Sequence, residues 1–137
     1  MCHEICAGIR TIHDLDSALD RAMTQGLIKS EEQRQELKEL IASSWEGNEK
    51  MREWFTLPWI LHIEMPVFYH GLERRPDRVM INPDTNEAIV LDYKFGGEED
   101  EYKTQVREYM DAMREMGHPV VRGYLWYARK HKLEEVH

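Results

Sequence analysis

The clearest fold signal in the sequence is the segment RPDRVMINPDTNEAIVLDYKFG, at residues 75–96. It holds a short apolar segment, Arg78–Ile81, and a longer segment rich in branched side chains, Ala88–Lys94. Residues 82–86, which separate the two, have the Asn, Pro and Asp composition of a turn. The pattern therefore predicts two β-strands that pair as a hairpin.

Helical spacing dominates the chain before Pro58, and extended segments dominate after it. The predicted helices are 1–10, 14–25 with Thr11 as N-cap, a helix that starts at the capping residue Ser30 and runs to 42, 48–55, and 98–116. The further predicted extended segments are 59–69, 119–128 and 133–136. This order predicts an α+β fold with a mixed β-sheet flanked by helices. We expect one domain over 1–137, with a helical part at 1–56 and an αβ core at 57–137.

Composition limits the possible functions. The chain has 137 residues, 42% of them hydrophobic, and a formal net charge of −8. This apolar fraction supports a core, and no stretch approaches the roughly 20 apolar residues of a membrane span. We expect no membrane association and, from only two cysteines, a cytoplasmic location. The acidity argues against an autonomous duplex-binding module, because duplex affinity rests largely on Lys and Arg.

Two acids and a lysine stand out in the predicted hairpin. Side chains alternate between the faces of a strand, so Asp92 and Lys94 point the same way, opposite to Leu91 and Tyr93. Asp77 lies fifteen residues before Asp92, and the hairpin brings it near the Asp92 end. An edge strand with one solvated face would explain an isolated acid and lysine, whereas the second acid favours a site.

Two carboxylates that face each other repel unless one is protonated or a divalent cation binds. Mg²⁺ suits such a pair because it prefers carboxylate oxygens and keeps several waters, and Mn²⁺ is a possible substitute. Lys94 beside the ion would activate a water or stabilise charge on a phosphate. Asp77, Asp92 and Lys94 therefore indicate metal-assisted hydrolysis.

These residues resemble the PD-(D/E)xK nuclease superfamily and, within it, the RecB-type nuclease domain of UvrD-like ATP-dependent helicase–nucleases. The motifs that carry the resemblance are HEI at 3–5, IRT at 9–11, DLD at 14–16, RPDRV at 75–79, DYKFG at 92–96, QV with Tyr109 at 105–109, and GYLWY at 123–127. They occur in the family's order and span nearly the whole chain.

The resemblance implies roles for individual residues. Asp77 and Asp92 would be metal ligands, Tyr93 would contribute a backbone carbonyl, and Lys94 would be the catalytic lysine. Glu64, in the segment IEMP, would coordinate the metal or orient a ligand.

It also implies roles for residues on the helices. His3 would supply a further metal ligand. Gln105 and Tyr109, four apart on one helix face, would reach the active edge of the sheet or the DNA backbone.

Other side chains compete for some of these roles. His13, His62, His70 and His118 are rivals of His3, and Glu64 could be a surface acid. Three arginines could contact phosphates or pair with nearby carboxylates: Arg74, Arg75 and Arg78. Tyr102 is expected only to pack in the core.

The implied function is a Mg²⁺-dependent deoxyribonuclease, an exonuclease of the helicase–nuclease type. It would cut single-stranded DNA delivered by a helicase of the same or a partner chain, in double-strand-break repair or recombination. No GxxxxGK[ST] motif is present, so we expect an excised or separately encoded nuclease domain; if excised, it would be a C-terminal fragment of a larger helicase–nuclease. The alternative is a catalytically inactive nuclease fold that binds DNA or docks on a helicase.

Overall fold

The computed structural model describes residues 2–56, 59–96 and 100–137. The chain divides into two compact units, 1–57 and 58–137. Residue 1, where the first predicted helix begins, and residues 98–99, where the last one begins, lie outside the described residues. The described helices are all too short or too polar to cross a membrane.

The first unit is helical. Its elements are α1 (Cys2–Ala7), a 3-10 helix (Ile12–Asp14), α2 (Leu15–Thr24), α3 (Glu31–Glu46) and α4 (Glu49–Trp54). Apolar side chains at helical spacing form its interior, among them Leu19, Ile41 and Met51. The rings of Trp45 and Phe55 pack with centroids 5.3 Å apart. Burial of these side chains, rather than intrinsic propensity, stabilises helices this short.

The ends of the predicted helices are only partly correct. Ser30 caps α3 as predicted, because its hydroxyl accepts a hydrogen bond from the Gln33 N–H at 3.1 Å. The predicted end at 42 is wrong, since α3 continues to Glu46. The hydroxyls of Ser43 and Ser44 donate to carbonyls within the same helix, which keeps these polar residues helical.

The end of the first helix and the start of the second also differ from the prediction. The first stops at Ala7 rather than at 10, and the Gly8 N–H closes a turn on the Ile5 carbonyl. Thr11 caps the 3-10 helix and not α2: its hydroxyl accepts from the His13 N–H, and the Asp14 carboxylate accepts from the Thr11 N–H. This capping box explains why the chain turns before α2 begins.

The second unit is a mixed sheet with one long helix. Its strands are β1 (Ile60–Ile63), β2 (Val67–Tyr69), β3 (Leu72–Arg74), β4 (Arg78–Ile81), β5 (Ala88–Lys94), β6 (Val121–Tyr127) and β7 (Lys132–Val136), and its helix is α5 (Asp100–Glu115). The main sheet has the order β1-β4-β5-β6-β7, and β2 pairs only with β3. Strands β5 and β6 are parallel, and the other pairs are antiparallel. The predicted α+β class with a mixed sheet is confirmed.

The predicted hairpin at 78–94 is confirmed residue by residue, with Arg78 opposite Leu91 and Ile81 opposite Ala88. The Asn82 side chain makes the turn, because its oxygen accepts from the N–H groups of Asp84 and Thr85. The edge-strand explanation of the acid and lysine is wrong, since β5 is the central strand of the main sheet.

The predicted extended segment 59–69 is wrong in its middle. The chain leaves β1 at Glu64, which has φ 53°, and residues 67–74 form a separate hairpin that was not predicted. His70 and Gly71, with φ values of 50° and 78°, make its two-residue turn.

Helix α5 packs against the face of the main sheet that carries Val79, Val90 and Leu125. Its close approach requires a glycine on β6. A Cβ placed on Gly123 would lie 2.7 Å from Val106 Cγ1 and would also overlap the Met110 side chain. The absence of a side chain at this position therefore sets the spacing between α5 and the sheet.

We expect Gly123→Ala to lower the free energy of unfolding by about 1–3 kcal/mol, because the new methyl group overpacks the interface of α5 and β6. Gly96→Ala is the matched control, since a Cβ there meets nothing within 4 Å. Urea unfolding monitored by circular dichroism measures both variants. Equal stability of the two variants would contradict this role of Gly123.

Candidate active site

The candidate site is built around two reciprocal hydrogen bonds between Asp77 and β5. The backbone N–H of Asp77 donates to Asp92 Oδ1 at 2.9 Å, and the backbone N–H of Tyr93 donates to Asp77 Oδ2 at 2.8 Å. Asp77 directly precedes β4, which lies beside β5. These bonds hold the two carboxyl groups within hydrogen-bonding reach of each other.

Both carboxyl groups are in an unfavourable environment for negative charge. Asp92 is 2% exposed. Burial and, after it, the charge of Asp77 raise the pKa of Asp92 to about 7. Burial also raises the pKa of Asp77, although the Tyr93 N–H and the charge of Lys94 oppose this effect. A pair whose charges are this costly is stabilised by a proton or by a cation.

Lys94 lies beside the pair, on the same face of β5 as Asp92. Its Nζ is 3.8 Å from Asp92 Oδ2 and donates to Gln105 Oε1 at 3.5 Å. The same Nζ lies 4.4 Å from the centroid of the Tyr102 ring. Three groups of different chemistry thus surround the ammonium group and hold it at the carboxyl end of β5.

Gln105 and Tyr109, which lie four residues apart on α5, are both close to the carboxyl pair or to Lys94. Gln105 contacts Lys94, and Tyr109 is buried one turn further along α5. Burial raises the pKa of the Tyr109 phenol, and the charges of Asp92 and Asp77 act in the same direction. The phenol therefore stays protonated and available as a hydrogen-bond donor near the carboxyl pair.

Glu64 and Tyr93 lie next to the pair through their backbones. The Glu64 N–H donates to the Asp77 carbonyl at 3.3 Å, and the charge of Glu64 contributes to the raised pKa of Asp77. Glu64 has a left-handed backbone, which is costly for this residue type and common at functional sites. In a strand, the N–H and C=O of one residue point to the same side, so the Tyr93 carbonyl faces the side on which Asp77 lies.

His3 lies on α1 of the first unit, where it is exposed. The carboxyl pair belongs to the second unit, and a ligand role for His3 stays a prediction. Of its rivals, His13 lies in the 3-10 helix and His70 in the turn of the β2–β3 hairpin. His118 Nδ1 bonds the Asn86 carbonyl at 2.9 Å, which gives His118 a structural role at the other end of the sheet.

A metal ion fits the donor chemistry of the pair. Within 2–56, 59–96 and 100–137, three or more His, Cys, Asp or Glu side chains do not converge on a common point suitable for an ion. Mg²⁺ is commonly bound by only one or two carboxylates, with water completing its shell. Asp77 and Asp92 satisfy this requirement, and their raised pKa values show that an added positive charge would be stabilising.

A cleft of about 480 Å³ opens beside Lys94. Its lining comes from β3, β5 and α5, and includes Arg74, Tyr102, Gln105 and two acids, Glu101 and Glu108. Arg74 Nε bonds Glu108 Oε2 at 3.2 Å, and both side chains are about one-third exposed. This places a guanidinium within the cleft that leads to Lys94.

Sequence reasoning missed part of this site. Tyr102 was expected only to pack in the core; it does contact the core cluster, but its ring also faces Lys94. Arg74 depends on the unpredicted hairpin for its position. Of the other two arginines, Arg75 pairs with Glu73 at 3.2 Å, whereas Arg78 is 1% exposed and therefore not a surface contact for phosphates.

The sequence profile of the PD-(D/E)XK nuclease superfamily matches residues 7–137. This range contains Asp77, Asp92 and Lys94. A search among curated proteins finds no significant match.

The raised pKa of Asp92 predicts a specific pH dependence of stability. Because the folded protein binds this proton more tightly than the unfolded chain, the stabilisation is full below the unfolded value of 3.8 and is lost as pH rises through about 7. In EDTA, the free energy of unfolding should therefore fall between pH 5 and pH 8. Asp92→Asn keeps the position neutral, so it should remove a fall on the order of a few kcal/mol.

Urea unfolding at the two pH values measures this difference. Asp111→Asn is the control, because Asp111 is a half-exposed acid that pairs with Arg114 at the far end of α5. An unchanged pH dependence in Asp92→Asn would show that Asp92 titrates normally.

Proposed function

Because the chain belongs to the PD-(D/E)XK nuclease superfamily, we propose that it is a metal-dependent nuclease. Its active site would consist of Asp77, Asp92 and Lys94. The observation that carries the proposal is the pairing of the buried Asp92 with the partly buried Asp77, with the Lys94 Nζ at 3.8 Å from Asp92 Oδ2. A structural ion pair with Lys94 would need only one acid, and the second acid adds repulsion. A divalent cation bound between Asp77 and Asp92 would explain why both acids are present.

In this proposal Asp77 and Asp92 would hold Mg²⁺, for which Mn²⁺ can substitute, the Tyr93 carbonyl would be a further ligand, and water would complete the shell of the ion. Glu64, whose N–H donates to the Asp77 carbonyl, would orient Asp77. When bound, the ion would supply an activated water and would neutralise charge on the phosphoryl oxygens and the leaving group. Burial of Asp92 and partial burial of Asp77 would strengthen their attraction for the ion.

The remaining residues act on the phosphodiester. Lys94 stabilises the negative charge that develops on the phosphoryl oxygens and orients the attacking water. Gln105 and Tyr102 keep the ammonium group in place. The Tyr109 phenol donates to the carboxyl pair or to a phosphate oxygen. Arg74 binds a neighbouring phosphate in the cleft, with Glu108 fixing the plane of its guanidinium.

We further propose that the substrate is single-stranded DNA delivered by a helicase, as in RecB-type nuclease domains that act in double-strand-break repair or recombination. The motif order at 75–79, 92–96, 105–109 and 123–127 supports the RecB-type assignment. The formal net charge of −8 supports delivery by a partner, since the domain as a whole does not attract phosphates. Exonuclease action fits a strand fed end-first into the cleft.

The test is cleavage of a labelled single-stranded oligonucleotide with Mg²⁺. We expect the wild type to cleave, and both Asp92→Ala and Lys94→Ala to lose at least about 10²-fold in rate, because each removes a group that contacts the ion or the phosphate. Circular dichroism should show that both variants remain folded.

Asp111→Asn serves as the matched acid control and should cleave like the wild type. Cleavage that survives in both Asp92→Ala and Lys94→Ala would remove this assignment of the site. Oligonucleotide binding without any cleavage by the wild type would instead support the inactive nuclease-fold alternative.

A further inference from the structure

The turn that joins β6 to β7 is unusually basic for this chain. Its sequence, Arg-Lys-His-Lys at 129–132, is the only run of four consecutive Lys, Arg or His residues in a protein of formal net charge −8. We name these four residues the basic turn. All four are exposed.

The topology of the sheet places the basic turn at the active end of the second unit. Strands β5 and β6 are parallel, and Lys94 pairs with Tyr127 as the last rung between them. Both strands therefore end at the same edge, and the basic turn begins two residues after Tyr127. Ligands of α/β proteins commonly bind beyond the carboxyl ends of parallel strands.

A direct contact fixes the basic turn to the residue that follows Lys94. Arg129 Nε donates to the Phe95 carbonyl at 3.0 Å. The His131 N–H bonds the Ala128 carbonyl at 3.2 Å, and His131 has a left-handed backbone that closes the turn tightly. The turn is thus a defined structure at the exit of the catalytic strand.

Further charged side chains lie next to the basic turn. Lys132 bonds Glu134 at 3.3 Å, and the same glutamate bonds Lys103 at 2.8 Å. Around Glu134 two lysines therefore accompany a single acid. The cleft beside Lys94 has no excess of positive charge, because Arg74 and Lys94 share its lining with Glu101 and Glu108. The basic turn is therefore the cationic segment at the edge where β5 and β6 end.

We propose that the basic turn binds the phosphate backbone of the single-stranded substrate, next to the nucleotide that is cut. This inference rests on the proposed nuclease function and adds a subsite to it. Lys130 and Lys132 contact one phosphate each, and Arg129 holds the turn against the Phe95 carbonyl. The contacts are with phosphates, so they hold the strand in position and do not select its sequence.

The first test measures binding alone. Equilibrium affinity of a labelled 20-nucleotide DNA strand is determined in EDTA at several KCl concentrations for the wild type and for Lys130→Gln/Lys132→Gln. Each lost phosphate contact lowers the salt slope by about 0.7 for a single strand. We expect the slope of the double variant to fall by about 1.4 and its affinity at low salt to fall at least about 5-fold.

The matched control is Arg114→Gln/Arg122→Gln, which removes the same charge at the opposite end of the second unit. Arg114 is in the last turn of α5, and Arg122 is near the start of β6. Equal losses of salt slope in the control and in the Lys130 and Lys132 double variant would show a general charge effect and overturn the proposal. So would a wild type that does not bind the strand at low salt.

The second test separates this subsite from the nuclease assignment. Bis(p-nitrophenyl) phosphate is too short to reach the basic turn, so the double variant should hydrolyse it at the wild-type rate with Mg²⁺. With DNA strands of 2 to 20 nucleotides, kcat/KM of the wild type should rise with length, and the double variant should lose this rise. An equal rise with length in both proteins would overturn the subsite while leaving the nuclease assignment intact.

Hydrolysis of neither substrate by the wild type would instead count against the nuclease assignment. The salt-slope comparison would then still decide whether the basic turn binds a nucleic-acid strand.

Discussion

The reciprocal bonding between Asp77 and β5 is the constraint on which the site depends. Two backbone N–H groups, one from each segment, donate to the carboxylate of the other segment at 2.9 and 2.8 Å. These bonds fix both side chains and bring the buried Asp92 next to the partly buried Asp77. Burial raises the pKa of both carboxyl groups, although the two bonds themselves oppose this rise. The fold thus maintains a repulsive pair that hydrogen bonds alone do not neutralise, and a divalent cation is the partner that this arrangement favours.

Other elements of the second unit position the remaining site residues around this pair. The central position of β5 buries Asp92, and the parallel pairing with β6 places the ends of both strands at one edge. Gly123 lets α5 approach the sheet, which brings Gln105 and Tyr102 to Lys94. The β2–β3 hairpin adds Arg74 to the cleft. Family membership and this arrangement together support hydrolysis of phosphodiesters.

The parts that sequence could predict are those with local signals. Strands β4 and β5 were predicted to the residue because apolar runs flank a turn that the Asn82 side chain makes. The β2–β3 hairpin was missed because its first strand was assigned to the end of the extended segment 59–69, and residues 72–74 have no strand pattern of their own. The aspartates and Lys94 follow from strand alternation, whereas Arg74 and the second role of Tyr102 depend on packing between distant segments. The site residues themselves, His3 above all, remain predictions.

Cation binding by Asp77 and Asp92 is tested most directly by calorimetric titration of the protein with Mn²⁺ in buffers of different ionisation enthalpy. Because the pKa of Asp92 is raised to about 7, an ion that binds the pair must displace a proton at lower pH. We expect release of about one proton per bound ion at pH 6, much less release at pH 8, and loss of binding in Asp77→Asn. Binding that releases no proton at pH 6, or that persists in Asp77→Asn, would show that the carboxyl pair is not the cation site.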